Sequence, residues 1–327
     1  MNHQGAVVVI TQPGDDATGP VTDELAQLGV SLITFDTSGF PMECSITARH
    51  GPGDWEILID LGDRTLDLGD VRSIWVRRPT PFLFPEDMTV HEREFADREA
   101  QLGIGGLLRS FGGAWVNHPE ASTRADFKPL QLSAAANCGF ETPRTLITND
   151  PAACESFFDS CPSGIIYKTF GGGYLQSSDG TPWCLYTSEV SSEDLLQAEH
   201  VRHTTCLFQE AVESKGDIRV TVIGDEVFAV EICCESVPPK LRDWRADPDA
   251  AYFVHELPDS VAGMAKALLA SFGLSFGALD LALMPDGRYV FFELNPGGEW
   301  LWLEQETALP MAAAMAKLLA EAPLAGR

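Results

Sequence analysis

The sequence has no run of about 18 apolar residues, so a membrane-spanning helix is not expected. Its start, MNHQ followed by AVVVI, lacks the basic head and long apolar centre of a signal peptide. Together these absences predict a cytoplasmic protein. The eight cysteines are scattered without a CxxC spacing, one pair being adjacent at Cys233-Cys234, which argues for reduced thiols and against a zinc centre. Cations are scarce: 22 Lys and Arg stand against 48 Asp and Glu, a formal charge of −26. That balance speaks against a nucleic-acid footprint and leaves two readings, a cationic partner or an acidic coat kept for solubility. The turn after the first apolar run carries no GxGxxG, and GxxxxGK[ST] is absent throughout, so dinucleotide-binding and P-loop folds are disfavoured. There is also no Ser/His/Asp or Cys/His constellation for nucleophilic catalysis, no internal repeat and no low-complexity tract.

What is present reads as an α/β protein. A chain of 327 residues suffices for a large core and two or three structural units. Ala6 to Ile10 is a continuous β-branched run, residues 19 to 28 read as a helix, and Ser31–Phe35, Trp55–Leu61 and Val71–Val76 read as strands. These make an α/β layer over residues 1–115. The GIGG at Gly103 to Gly106 falls in a predicted helix and reads as a packing feature. Arg77-Arg78-Pro79, at the end of a strand, could face a ligand or be solvated. A break follows at Asn117-His118-Pro119. Asp126 is a plausible cap for a helix from about Phe127 to Asn137, which places Lys128 in its first turn. A cation there opposes the helix dipole, but beside free N–H groups it makes an anion site.

Gly164 to Phe170 is a strand bearing Lys168, followed by Gly171-Gly172-Gly173. Trp183 to Glu189 returns as a strand, leaving the glycines at the tip of a flap able to exclude water, or of a plain hairpin. Leu207 to Val212 is a short strand running into a loop. Asp217 to Ile232 is a hairpin turning at Gly224-Asp225, with Arg219 on one face beside Thr221, Phe228 and Val230. An Arg on so apolar a face needs an anion, either a phosphate or a distant acid. Ser236 to Asp249 forms a loop with Lys240, Arg242, Asp243 and Arg245, suited to contacting substrate or to solvation. Helices are expected over Asp259–Ser271, closed by Gly273, and over Leu309–Ala322.

The most telling stretch is Gly277 to Trp302. Pro285-Asp286-Gly287 marks a turn between apolar runs, giving an antiparallel hairpin. With the loop centred on Asp286-Gly287, Ala282 faces Phe291 and Asp280 faces Glu293, with Cβ atoms roughly 4.5–5.5 Å apart. Alternation puts Asn295 beside Glu293, while Leu279, Leu281, Leu283, Val290, Phe292 and Leu294 line the other face. Two opposed carboxylates in apolar surroundings repel and resist desolvation, so a cation should sit between them. Two carboxylates and an amide oxygen are hard donors, too few to enclose a cation. Mg²⁺ is usually held that way, with phosphates and water completing its shell. The alternatives are a one-residue slip that turns an acid to solvent, or one protonated acid.

The succession of these parts resembles the ATP-grasp superfamily: Lys128, Lys168 with its glycines, a Gln209-Glu210-Ala211-Val212 hinge, Arg219, then Asp280 and Glu293-Leu294-Asn295. The strings TRADFKPLQL, PRTLITND, IRVTVIGDEVFAVEI, RDWRAD and ELNPGGEWLWLEQETALP resemble the ATP-grasp ribosomal peptide maturases of the MvdD/MvdC type, the graspetide or microviridin-like macrocyclases. The resemblance covers nearly the whole chain and is weakest before residue 70. It implies an α/β (α+β) ATP-grasp fold: an N-terminal pre-ATP-grasp domain (1–115), a central subdomain with the glycine flap (116–206) and a C-terminal subdomain with the Mg-binding hairpin (207–327). It further implies that Lys128, Lys168 and Gly171, Gly172 and Gly173 bind ATP phosphates. Backbone near Glu210 and Val212, at the hinge with Gln209, would hold adenine, and Glu213 the ribose. Arg219 would contact the transferred phosphoryl group, Asp280, Glu293 and Asn295 two Mg²⁺ ions, and Arg245 the substrate carboxylate or acyl phosphate. The implied partner is a ribosomal precursor peptide with a leader, and a homodimer is expected by analogy. Cys233-Cys234-Glu235-Ser236 departs from the small polar residues usual there. A ligase joining free amino acids, or adding them to a protein terminus, would share the same nucleotide site; a non-catalytic nucleotide-binding scaffold would not need the full set.

Overall fold

A computed structural model describes residues 5–177, 179–234, 247 and 249–322. Its first strand, β1 (Ala6–Ile10), is buried on both faces, as its unbroken β-branched sequence requires. After α1 (Thr18–Gln27) come β2 (Leu32–Phe35), β3 (Ser45–His50), β4 (Trp55–Asp60), β5 (Thr65–Asp67), β6 (Val71–Val76), α2 (Val90–Arg109) and β7 (Ala114–Val116). Four of these strands form a parallel sheet in the order β2-β1-β6-β7, and β3-β4-β5 is an antiparallel meander. Ala6, Val8 and Ile10 pack with Ile57, Ile59 and Leu66 of the meander and with Leu68 just after it. Val7 and Val9 face the opposite way, into a core built largely from the far end of the chain.

The middle of the chain holds α3 (Pro119–Ala125), α4 (Lys128–Asn137), β8 (Thr145–Thr148), α5 (Pro151–Asp159), β9 (Ile165–Lys168), β10 (Tyr174–Gln176), β11 (Pro182–Cys184), β12 (Ser188–Val190) and β13 (Cys206–Glu210). Strands β12-β9-β13-β8 form an antiparallel sheet, and β10-β11 a separate hairpin beside it. The return segment is therefore two strands, β11 and β12. The three glycines stand at the base of the β10-β11 hairpin instead of at its tip. Asp126 does not cap α4: it closes α3 in helical conformation, and the α4 cap position is Phe127, without a side-chain bond.

Next come β14 (Gly216–Ile223), β15 (Glu226–Cys233), β16 (Ala251–Val254), α6 (Asp259–Phe272), β17 (Phe276–Leu283), β18 (Tyr289–Asn295), α7 (Leu301–Thr307) and α8 (Met311–Glu321). Five strands, β16-β15-β14-β17-β18, form an antiparallel sheet. Helix α6 seals one face of it through Val261, Ala265, Leu268 and Leu269, packed on Val220, Leu279, Leu281 and Leu294. Apolar side chains of α8 run back across the N-terminal sheet, where Ser73 Oγ donates to Leu319 O and Arg72 to Ala320 O. Among the described residues, no helix is long and apolar enough to cross a membrane.

Candidate active site

The β14-β17 and β17-β18 registers put Arg219 opposite Asp280 and Asp280 opposite Glu293, a row of three charged side chains across adjacent strands. Arg219 Nη1 donates to Asp280 Oδ1 at 2.7 Å, and Lys128, at the start of α4, donates to Glu293 Oε2. Asn295 Nδ2 lies 3.3 Å from Glu293 Oε1 and 3.5 Å from Asp280 Oδ2. Arg219 and Asp280 are largely enclosed, their side chains 7% and 20% exposed. Burial pushes the Asp280 carboxyl above its ordinary range; Arg219 pulls it back, and the like charge of Glu293 pushes it up further. Among the described residues the Nε of Arg219 is buried without a partner.

This row floors a cleft of about 1280 Å³. Lys128, Lys168, Gly171 to Gly173, Val212, Glu213, Arg219, Asp280, Glu293 and Asn295 all line it. Lys168 Nζ sits 4.7 Å from the centre of the Phe292 ring, a cation–π contact that holds the ammonium toward the cleft. At the base of the β10-β11 hairpin, Leu185 N donates to Gly173 O at 2.7 Å, and a Cβ on Gly173 would fall 2.1 Å from Leu185 O. Only glycine permits that approach. In the loop after β18, a Cβ at Gly298 would meet Ala278 Cβ at 2.7 Å and Arg219 Nη2 at 2.8 Å, so this position has no room for a side chain beside the guanidinium.

The donor set fits a hard divalent cation. Two carboxylates point at one place, an amide adjoins both, and the Asn295 nitrogen that now donates to the acids can exchange with its oxygen by an amide flip. Among the described residues no group of three or more His, Cys, Asp and Glu is placed to hold a metal.

The MvdD pre-ATP grasp domain model matches residues 6–123. No curated protein matches the chain in sequence. The macrocyclase MdnB from Microcystis aeruginosa MRC is 31% identical, with 96% of this chain and 99% of that one covered at a TM-score of 0.80. The chain belongs to the ATP-grasp ribosomal peptide maturases of the MvdD/MvdC type. The macrocyclase MdnC of the same organism, bound with precursor peptide MdnA, is 28% identical over 96% of this chain and 98% of that one, with a TM-score of 0.85. The RiPP-associated ATP-grasp ligase of Chryseobacterium gregarium, in complex with ADP and a leader and core peptide, is 25% identical over 97% of each chain, with a TM-score of 0.89. The maturase is thus an ATP-grasp ligase with an N-terminal pre-ATP-grasp domain.

Two further readings of the sequence change in the maturase fold. A β-bulge between Asp280 and Leu281 leaves Asp280 facing Glu293 but pairs Leu281 with Phe291 and Ala282 with Val290. Phe291 therefore joins Leu279 and Leu294 in the core, Phe292 turns into the cleft, and Val290 changes face as well. Of the two anions read for Arg219, a phosphate or a distant acid, the structure supplies the acid, Asp280, because β17 lies beside β14. Arg77 is neither solvated nor in the cleft: it makes two bonds to Asp15 and one to Glu299.

Of the hinge residues, Val212 and Glu213 line the cleft, whereas Gln209 is buried and donates to Thr145 Oγ1 at 3.0 Å. The Glu210 side chain borders a smaller cavity of about 280 Å³, and its N–H is bonded to Arg144 O. Arg245 and the rest of the RDWR string lie outside the described residues. Two buried amides went unread in the sequence. Asn117 donates to Phe276 O and Pro296 O and accepts from the N–H groups of Ser275 and Phe276. Gln131 is tied to Leu294. For Gln131 the signal was available, since it stands three residues after Lys128 on the same helical face.

Proposed function

We propose that the maturase couples ATP cleavage to ring formation on a ribosomal precursor peptide, joining Asp or Glu side chains to Ser or Thr hydroxyls, or Lys amines, as ω-esters or ω-amides. The observation that carries this is the convergence of three cations, a glycine-based flap and a carboxylate–carboxylate–amide row on one cleft. Lys128 and Lys168 bind the phosphates, with Gly171 to Gly173 swinging the flap over them. Segment 212–214 meets the nucleoside, with Val212 at the base and Glu213 at the ribose. Asp280, Glu293 and Asn295 hold Mg²⁺, two ions in this reading, which offsets the charge of the phosphates when bound.

The chemistry needs no nucleophilic side chain, because the substrate carboxylate is itself the nucleophile. Its oxygen attacks the γ-phosphorus and ADP leaves, giving an acyl phosphate. The hydroxyl or amine then attacks the acyl carbon, loses its proton and expels inorganic phosphate. Arg219 lies where charge accumulates on the transferred group, and the protein contributes by positioning and charge neutralisation. Arg245 is assigned to the substrate carboxylate. The leader segment and a homodimeric state belong to the same reading.

Mass spectrometry of a candidate precursor after incubation with enzyme and MgATP tests it. The expected result is successive losses of one water per ring, matched by equimolar ADP. Unchanged peptide, with ADP released only when free amino acids are supplied, would instead establish the amino-acid ligase.

A further inference from the structure

Among the described residues β18 is the last strand of its sheet; at Phe291 its outward N–H donates to Glu141 O, and beyond that no strand runs beside it. At Leu294, between Glu293 and Asn295, the missing strand is replaced by one side chain. Gln131 Oε1 accepts from Leu294 N–H at 2.9 Å, and Gln131 Nε2 donates to Leu294 O at 2.8 Å. The same amide nitrogen donates to Ala125 O at 2.6 Å, at the end of α3. Gln131 is 3% exposed, and its amide oxygen and nitrogen are both engaged. One turn earlier on α4, Lys128 reaches Glu293. A single helix thus grips the edge strand through one residue's backbone and the preceding residue's carboxylate.

We propose that Gln131 is a positioning residue for the cation-binding row: by pinning the Leu294 backbone on both sides of its peptide units, it fixes the directions in which Glu293 and Asn295 project. Side chains alternate along a strand, so a twist of the backbone at Leu294 moves both flanking side chains at once and in a correlated way. Lys128 cannot perform this task, because a flexible ammonium holds a carboxylate without specifying the backbone. The bidentate amide does specify it, and without Gln131 two buried backbone groups would lack partners.

The inference rests on the reading of the cleft as an Mg²⁺–nucleotide site, so the test has two arms. In the first, amide exchange of the nucleotide-free and metal-free protein is followed at Leu294. Gln131→Met, equal in length and unable to bond, should exchange at least tenfold faster there while the β14-β15 amides stay as protected as in the wild type. In the second, ADP binding is titrated with Mg²⁺ by calorimetry. The variant should need about tenfold more Mg²⁺ for half-saturation and reach the same stoichiometry. Gln131→Asn, one methylene too short to span the gap, should move both readouts in the same direction and serves if the Met variant does not fold. Faster exchange at Leu294 with an unchanged Mg²⁺ requirement would overturn the positioning role, as would unchanged exchange. Failure of the wild-type enzyme itself to bind ADP with Mg²⁺ would instead remove the nucleotide reading, and the proposal with it.

Discussion

Two buried arginines of this enzyme each face an aspartate with a glutamate nearby, and they do opposite things. Arg77 grips Asp15 through Nε and Nη2, at 3.1 and 3.0 Å, and Asp15 also accepts from Thr11 and the Ala17 N–H. Burial alone would push the Asp15 carboxyl up, but these bonds and the Arg77 charge hold it below the ordinary range. Arg219 reaches Asp280 through one nitrogen only and leaves its Nε unpaired, and Asp280, with Glu293 opposite, is pushed above that range. The first pair is closed: its hydrogen bonds offset its desolvation, and with Glu299 it bolts the end of β6 to the loop after β18. The second lacks compensation. Perturbed carboxyls of this kind concentrate at functional sites, and this one lines the cleft.

The comparison breaks most visibly at Glu293. Glu293→Gln removes a proposed cation ligand and the repulsion on Asp280 together. It should lower macrocyclisation by roughly 10³-fold while the thermal midpoint moves by only a few degrees. Near-normal turnover would remove Glu293 from metal binding. Arg77→Met should do the reverse, costing about 3–5 kcal/mol in urea unfolding because Asp15 is left buried and uncompensated. A loss below about 1 kcal/mol would mean that the pair is no bolt. Lys128→Met sharpens the contrast. In the absence of nucleotide Lys128 occupies Glu293, so its removal should raise Mn²⁺ affinity of the nucleotide-free enzyme roughly tenfold, equal to about 1.4 kcal/mol, while ATP binds more weakly. Electron paramagnetic resonance of free Mn²⁺ measures the first change; weaker Mn²⁺ binding would show that Lys128 does not compete for the site.

How much of this was legible depended on sequence distance. The β14-β15 register follows from two eight-residue strands around a two-residue turn, and Arg219 stands opposite Val230 as read. Asp280 against Glu293 was likewise readable through its turn, but the bulge was not, since nothing in VFFEL marks which phenylalanine leaves the core. Arg219 against Asp280 spans 61 residues and depends on sheet order, which no local pattern carries. Gly171 to Gly173 were read at a hairpin tip but stand at its base, because the loop within the Trp183–Glu189 run has no Gly or Pro to announce it. The edge strand β3 went unread because SITARH is half exposed and has no continuous apolar face. Gln131 could be placed on the Lys128 face of α4, but its bond to Leu294 required the edge of a sheet at a residue 163 positions away.

The smallest expected effect is a slope, and it separates the two pairs without any ligand. A carboxyl whose folded pKa is lowered contributes stability that is complete above its ordinary value of 3.8 and is lost as pH falls through the folded value; this is Asp15. A carboxyl whose folded pKa is raised behaves oppositely: its contribution is complete below 3.8 and is lost as pH rises through the folded value; this is Asp280 in the metal-free enzyme. Since asparagine does not titrate, the stability difference between wild type and Asp15→Asn should shrink as the solution is acidified. The difference between wild type and Asp280→Asn should move against the wild type as pH rises from about 4 toward neutrality. Chemical denaturation at several pH values gives both slopes. Slopes of the same sign would mean that Asp280 is as well compensated as Asp15, and the contrast between a closed bolt and an open site would then have no electrostatic basis.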